Sequence, residues 1–233
     1  STRIETNSVL KQESKAAVAL TELRLWLQHH HNPKIFVNNM MLHEAISSSA
    51  IENVIVPFPK TLEALAVQAI KPDFAVAEVL RYREAYKVGL ENLTHAGIIE
   101  LKHIFQLVAR LQGLNPLSEE QLAFPEDDNR YIKLLSNLCS YMNDSGSDIS
   151  ALIRMAVQHY QFEIIHPFYL ENGRTGRLLN LLFLQQHGVL PYPVLPLSEF
   201  IQKNKIEYYH LHQQVKAQNE WAEWILFMLR GLE

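Results

Sequence analysis

The sequence has a single cysteine, Cys139, in 233 residues. An internal disulfide and any cysteine-rich zinc site are therefore excluded, and this usage fits a reducing compartment. Glycine is scarce too, with eight residues, and strict apolar/polar alternation is rare, so most of the chain reads with a helical period. No sign of charge prevails: 21 Lys and Arg stand against 25 Asp and Glu, a net of −4. The bulk electrostatic footprint of a nucleic-acid partner is absent. No apolar run approaches the roughly 20 residues of a membrane span. The greasiest stretches, 178–184 and 224–229, are far too short, and Asn180 interrupts the first. The opening residues, Ser1 to Thr6, show no apolar core of a secretory signal. The expectation is a cytoplasmic protein with neither membrane nor nucleic acid as partner.

What is present is ordinary globular usage, 48% hydrophobic and 20% charged, which excludes a disordered chain. The length suits one large domain or two small ones with a real core. Helical stripes are expected over 8–28, 37–51, 61–70, 73–93, 97–111, 129–143, 149–165, 174–187, 198–218 and 219–232. The signals that bound them are local. The run His29-His30-His31-Asn32-Pro33 stops the first. Pro57 and Pro59 follow the second, and Asp73 is a good N-cap. Residues 113–128, with two prolines and an acidic cluster, read as a loop. The fold class expected is all-α, with room for one short β-hairpin.

Two apolar helices flank one polar corner, His166-Pro167-Phe168-Tyr169-Leu170-Glu171-Asn172-Gly173-Arg174-Thr175-Gly176-Arg177. Asn172 and Gly173 precede a helix, where unpaired N–H groups and the positive dipole end favour an anion. Arg174 and Arg177 are neighbours on the first turn, and two guanidinium groups there suit a polyphosphate. Their position opposes the usual acidic preference of a first turn. The arginines therefore meet either an outside anion or an internal carboxylate. His166 stands where it could take a proton from an attacking hydroxyl. The plain alternative is a helix–loop–helix corner with two surface arginines and a buried histidine.

This corner resembles the motif of the Fic family, His-x-Phe-x-(Asp/Glu)-Gly-Asn-Gly-Arg-x-x-Arg. The matching positions are His166, Phe168, Asn172, Gly173, Arg174 and Arg177. The flanks at 159–163, 204–209 and 221–226 are similar as well, so the likeness runs from about residue 10 to the end. The resemblance implies a Fic fold, a helical bundle around a central helix–loop–helix motif. It implies transfer of AMP from ATP to a Ser, Thr or Tyr hydroxyl of a protein target. His166 would be the general base. Asn172 and the backbone at Gly173 would hold the α-phosphate, and Arg174 and Arg177 the β- and γ-phosphates. Phe168 would anchor the loop, and magnesium would bridge the phosphates. Relatives dimerise, so a homodimer is open.

A second stretch, Ser48-Ser49-Ala50-Ile51-Glu52-Asn53, fits the family's inhibitory pattern, (Ser/Thr)-x-x-x-Glu-(Gly/Asn). Ser48 and Glu52 are four apart and can share a helix face. By resemblance Glu52 would pair with Arg177 and block productive γ-phosphate binding. Helices within 1–60 would carry this segment, packed on a core domain of 61–233. Three departures stand beside the match. The metal-ligand acid of the family falls on Leu170, which cannot bind magnesium. The next glycine falls on Glu171, which leaves Glu171 as a weak substitute ligand and the metal position unassigned. Residues 112–128 are short for the target-binding flap of relatives. An adenylyltransferase with altered metal use is the leading expectation. A degenerate member that binds nucleotide or a partner without transfer, and a member with another phosphate-group transfer or AMP removal, are the alternatives.

Other polar groups have plainer readings. Consecutive histidines 29–31 point different ways and suit a solvated loop better than a metal site. His210 and His212 do not share a helix face. His159 and Tyr160 read as packing or support for the motif, Trp221 and Trp224 as anchors of the last helix, and Cys139 as inert. His43 has no assigned role.

Overall fold

A computed structural model of the chain describes residues 4–67, 72–114, 128–192 and 195–233. Among them are eleven helices and no strand. The all-α expectation holds for the described residues; the stretch 115–127, where a flap was considered, lies outside them.

The first two helices, α1 (Asn7–His29) and α2 (Pro33–Ile51), show how local signals set the ends. Thr6 caps α1 by accepting from the Val9 N–H at 3.3 Å. Pro33 is the first residue of α2, where a missing N–H costs nothing. The expected start at Val37 was therefore too late: the same proline that follows α1 opens α2. The next pair is α3 (Phe58–Ala66) and α4 (Phe74–Ala96). The Asp73 carboxylate caps α4 through the Val76 N–H at 2.9 Å. Gly97 ends α4 in the left-handed region, φ 73°. That stop delays α5 (Leu101–Leu111) past the expected start at Gly97.

The remaining elements are α6 (Asp128–Asn143), α7 (Ala151–Ile165), α8 (Asn172–Gln186), α9 (Leu197–Lys203), α10 (Lys205–Gln218) and α11 (Trp221–Leu232). One long helix was expected over 198–218. It is broken at Asn204 (φ −116°, ψ 30°), whose side-chain amide donates back to the Phe200 carbonyl at 2.9 Å. Such local side-chain bonding competes with the helix ladder.

The centre of the molecule is α8. Every residue from Arg174 to Leu184 is buried, polar ones included. It packs on α7, and α4 and α5 cover another side. The close approach of α4 depends on Gly89. A Cβ there would lie 2.6 Å from Leu182 Cδ1 and 3.0 Å from Leu107 Cδ2. Fully buried Phe183, Leu178 and Leu179 each contribute about 1.5–3 kcal/mol by leaving water. The helix α2 lies on α9 and α4, and α1 lies on α11. Residues of all these elements join one apolar cluster. Buried Arg154 on α7 ties in α6: its guanidinium donates to the carbonyls of Asp144, at 2.6 Å, and Tyr141, closing the end of that helix.

Candidate active site

The turn between α7 and α8 begins at His166. Its φ of 46° and ψ of 57° put it in the left-handed region, where its N–H donates to the Phe162 carbonyl at 3.1 Å and ends α7. Pro167 forbids any continuation. The His166 ring faces solvent, while Phe168 is 1% exposed and meets Phe105 edge-on. The loop is closed by Asn172. Its side-chain oxygen accepts from the Phe168 N–H at 3.0 Å, and its amide donates to the Phe168 carbonyl at 2.5 Å. The Asn172 side chain, expected on the α-phosphate, is thus spent on holding the turn. The first N–H groups of α8 have no partner within the helix, and Asn172, Gly173 and Arg174 line the adjoining cleft.

Arg174 and Arg177 follow on the first turn of α8. Both are buried and both meet internal carboxylates. Nη2 of Arg174 donates to Glu78 on α4 and to Glu171, each at 2.5 Å, and Nη1 donates to the Glu78 carbonyl at 3.3 Å. Nη2 of Arg177 donates to Glu52 Oε1 at 2.8 Å. Its Nε donates to Ser48 Oγ at 2.8 Å, and Nη2 reaches the Ser48 carbonyl at 3.0 Å. The plain reading of surface arginines and a buried histidine is reversed. The reason lies in α8, which is buried on every side from residue 174 to 184, so its first turn is carried inward with its arginines.

Ser48, Glu52 and Asn53 sit at the end of α2, directly over the first turn of α8. Asn53 has φ 65°, a left-handed conformation that Asn tolerates better than other side-chain-bearing residues. It ends the helix and leaves Glu52 projecting. The carboxylate comes so close to Gly173 that a Cβ there would lie 2.3 Å from Glu52 Oε1. Two further contacts hold this helix end. Lys205 donates to the Ile51 carbonyl at 2.6 Å. Deeper in α2, buried Glu44 accepts from the Ser198 N–H at 3.0 Å, from the Ser198 hydroxyl, and from Tyr82 at 3.4 Å. Burial pushes the Glu44 carboxyl up to about 7 against those donors and the field of Arg177.

A cleft of about 350 Å³ opens beside this constellation, lined by His166, Glu52, Glu78, Glu171, Gly173 and Arg174 among others. Leu170 lines it too, 65% exposed. A leucine offers no oxygen to a magnesium ion. Glu171 has φ 75°, Oε1 bound to Arg174, and a buried Oε2 with no hydrogen-bond partner. Burial raises its carboxyl, and Arg174 opposes that shift. The residues present do not fit a magnesium held from position 170. Among the described residues, no group of three or more His, Cys, Asp or Glu could hold a metal.

Three participants had no local signal in the sequence: Glu78, Glu44 and Glu163. Glu163 lies one turn before His166, with Oε1 buried and without a hydrogen-bond partner, near Gly176. Burial pushes it up to about 7, although Arg177 pulls the other way. His159 is fully buried, accepts or donates at 2.9 Å to the Tyr208 hydroxyl, and stacks on Trp224. Burial lowers it to about 3, so it is a neutral packing group. Trp224 is buried and donates to the Ala156 carbonyl, and Trp221 meets Tyr160 edge-on. His43 stacks on Phe58. Buried Cys139 is pushed up to about 11, which keeps the thiol protonated. No described helix is long and apolar enough to cross a membrane.

Comparison with known proteins gives two adjoining family matches. The Fic/DOC family N-terminal model matches residues 10–91, and the Fic/DOC family model matches residues 93–184. Over 86 residues the chain is 31% identical to "Protein adenylyltransferase fic-1" of Caenorhabditis elegans, covering 36% of this chain and 16% of that protein. The corresponding protein of Caenorhabditis briggsae is 32% identical over 79 residues, 34% of this chain and 14% of that protein. The matched stretch thus spans less than a fifth of these curated relatives. Among solved structures, a Fic family protein from Desulfovibrio desulfuricans superposes with a TM-score of 0.79 at 18% identity, covering 99% of this chain and 73% of that one. A fragment of Fic-1 from C. elegans gives 0.73 at 20% identity, covering 94% and 69%. At such identities the likeness establishes the fold.

Proposed function

The chain belongs to the Fic/DOC family, and on that premise we propose that it is a nucleotidyltransferase that moves AMP from ATP to a hydroxyl of a protein target, restrained by Glu52. The observation that carries this reading is the 2.8 Å ion pair between Glu52 and Arg177 at the start of α8, beside the cleft that also takes in His166. A carboxylate in that position holds a guanidinium that a phosphate would otherwise engage.

The chemistry follows from the placement. The target hydroxyl enters beside His166, whose ring faces solvent. His166 accepts the hydroxyl proton as the oxygen attacks the α-phosphorus. The bond from that phosphorus to the bridging oxygen breaks, and pyrophosphate leaves with its electron pair. The N–H groups at the start of α8 face the phosphate as charge builds. Arg177, held by Ser48, is in place to take the terminal phosphate once Glu52 departs. No step is routed through a metal, because position 170 supplies no ligand.

The test is label transfer from α-labelled ATP by Glu52→Gly, with a Glu52→Gly/His166→Ala control and cell lysate as acceptor. Histidine-dependent labelling is expected. Labelling that persists without His166 would refute its role as base. One observation favours a second reading, a member that binds nucleotide without transfer: Arg174 and the Asn172 side chain are both already committed inside the protein. A folded Glu52→Gly protein that binds nucleotide but labels nothing would select it.

A further inference from the structure

We propose that Glu171 is a specificity-determining residue that keeps Arg174 from phosphate, so that the cleft takes a nucleoside monophosphate in preference to a triphosphate. The inference rests on the nucleotide-site reading above and concerns which phosphates that site accepts.

The geometry is specific. Glu171 occupies the N-cap of α8 in the left-handed region, and its carboxylate accepts from Arg174 instead of from a backbone N–H of the helix. Arg174 is 5% exposed at its side chain, and both terminal nitrogens already have partners, Glu171 and the side chain and carbonyl of Glu78. Glu78 is fixed in turn by Arg81 at 2.7 Å. This carboxylate pair differs from the Glu52 contact in where it is anchored. Glu52 projects from the end of α2, half exposed, and can leave as that end moves. Glu171 is built into the motif itself, and its side chain is 10% exposed. Removing Glu52 frees Arg177 but leaves Arg174 closed.

Charge decides the ligand. Three carboxylates, Glu52, Glu78 and Glu171, face two arginines across the cleft. Oε1 of Glu171 is taken by Arg174 and Oε2 is buried without a partner, so a phosphate arriving there meets a carboxylate and no free donor. Leu170 provides no ligand for a cation that could lie between carboxylate and phosphate. Each phosphate beyond the first therefore brings negative charge toward Glu171 with no free arginine at that point. A single phosphate needs only the N–H groups at the start of α8. Nucleoside monophosphates, free or esterified to a protein hydroxyl, meet that limit.

The test is calorimetric titration of AMP and ATP, with chelator and then with magnesium, into Glu52→Gly, Glu52→Gly/Glu171→Gly and Glu52→Gly/Glu171→Gln. Glycine at φ 75° carries no strain, so the glycine variant keeps the turn. AMP should bind the Glu52→Gly protein more tightly than ATP. Replacing Glu171 by glycine should tighten ATP about tenfold while AMP changes less than about threefold. The glutamine variant should move in the same direction, since it removes charge and keeps bulk. An unchanged ratio of ATP to AMP affinity overturns the inference and leaves the nucleotide site standing. Tightening by glycine alone, absent with glutamine, overturns the charge argument. Failure of every variant to bind either nucleotide overturns the site reading and the inference together.

Discussion

Replacing Glu52 by glycine should convert a closed anion site into an open one, by an amount the contacts define. The pair to be lost is a single charge-assisted hydrogen bond of 2.8 Å, with Arg177 3% and Glu52 41% exposed at their side chains. Such bonds contribute about 1.5–3 kcal/mol, and the half-open carboxylate belongs at the lower end because water screens it. An arriving phosphate also escapes repulsion from the carboxylate, about 1 kcal/mol for unit charges 4 Å apart in water. Together these terms amount to roughly 2–3 kcal/mol, or between about thirtyfold and about 160-fold in affinity. Arg177 should stay in position, because Ser48 holds it through Nε at 2.8 Å and through its carbonyl at 3.0 Å. Nucleotide titration of parent and variant at low and high salt reads this directly. The gain should shrink as salt rises, since screening weakens the same charges. A variant that binds within about threefold of the parent would refute the account, for then Glu52 would not be competing with phosphate.

Two further predictions concern stability. The Glu44 carboxyl is raised from 4.5 to about 7 by burial, so the folded state keeps a proton that the unfolded state has lost. Its favourable term is full below about pH 4.5 and disappears as pH rises through about 7. Across that window the parent should lose up to about 3 kcal/mol relative to Glu44→Gln, measured as the difference between their chemical-denaturation curves at each pH; parallel curves would show that Glu44 stays ionised throughout. Gly89→Ala should cost about 1–3 kcal/mol, because its methyl would sit 2.6 Å from Leu182 Cδ1 in a packed interior. A thermal midpoint equal to that of the parent would mean that α4 and α8 can separate without penalty.

Much of this architecture can be read locally. Asp73 announces a helix start because a short acceptor side chain finds the first free N–H groups within three residues. The Arg174–Arg177 spacing marks an anion-seeking turn for the same kind of reason. The carboxylates that answer those arginines are not legible in this way. Glu78 lies 96 residues before Arg174, and Glu52 lies 125 before Arg177. No periodicity connects such positions; the packing of α4 and α2 around α8 does. Glu52 is legible through a likeness to other proteins, and Glu78 has no such signal. The plain alternative, surface arginines and a buried histidine, inverts their burial for a related reason. A pattern of arginines on a first turn suggests solvent until the whole helix is seen to lie inside. The break at Asn204 is subtler, since one side-chain amide bonded to a nearby carbonyl decides it.

The anchoring of α2 bears on how quickly any restraint can lift. Glu44 fastens the middle of this helix to α9, and Lys205 fastens the carbonyl of its last residue, Ile51. Withdrawal of the whole helix would strip a buried carboxyl of its donors, so residues 52–53, past the carbonyl that Lys205 holds, are the part with freedom to unwind. Fraying of one turn belongs to the nanosecond-to-microsecond range, far faster than common enzymatic turnover. Open and closed forms would then exchange many times within each catalytic cycle. Restraint of that kind acts as a throttle: it scales the rate in proportion to the open fraction, with no lag after mixing. A ligand or partner that pulled on Asn53 or Val54 would set that fraction continuously, where a departing domain would have to be thrown like a switch.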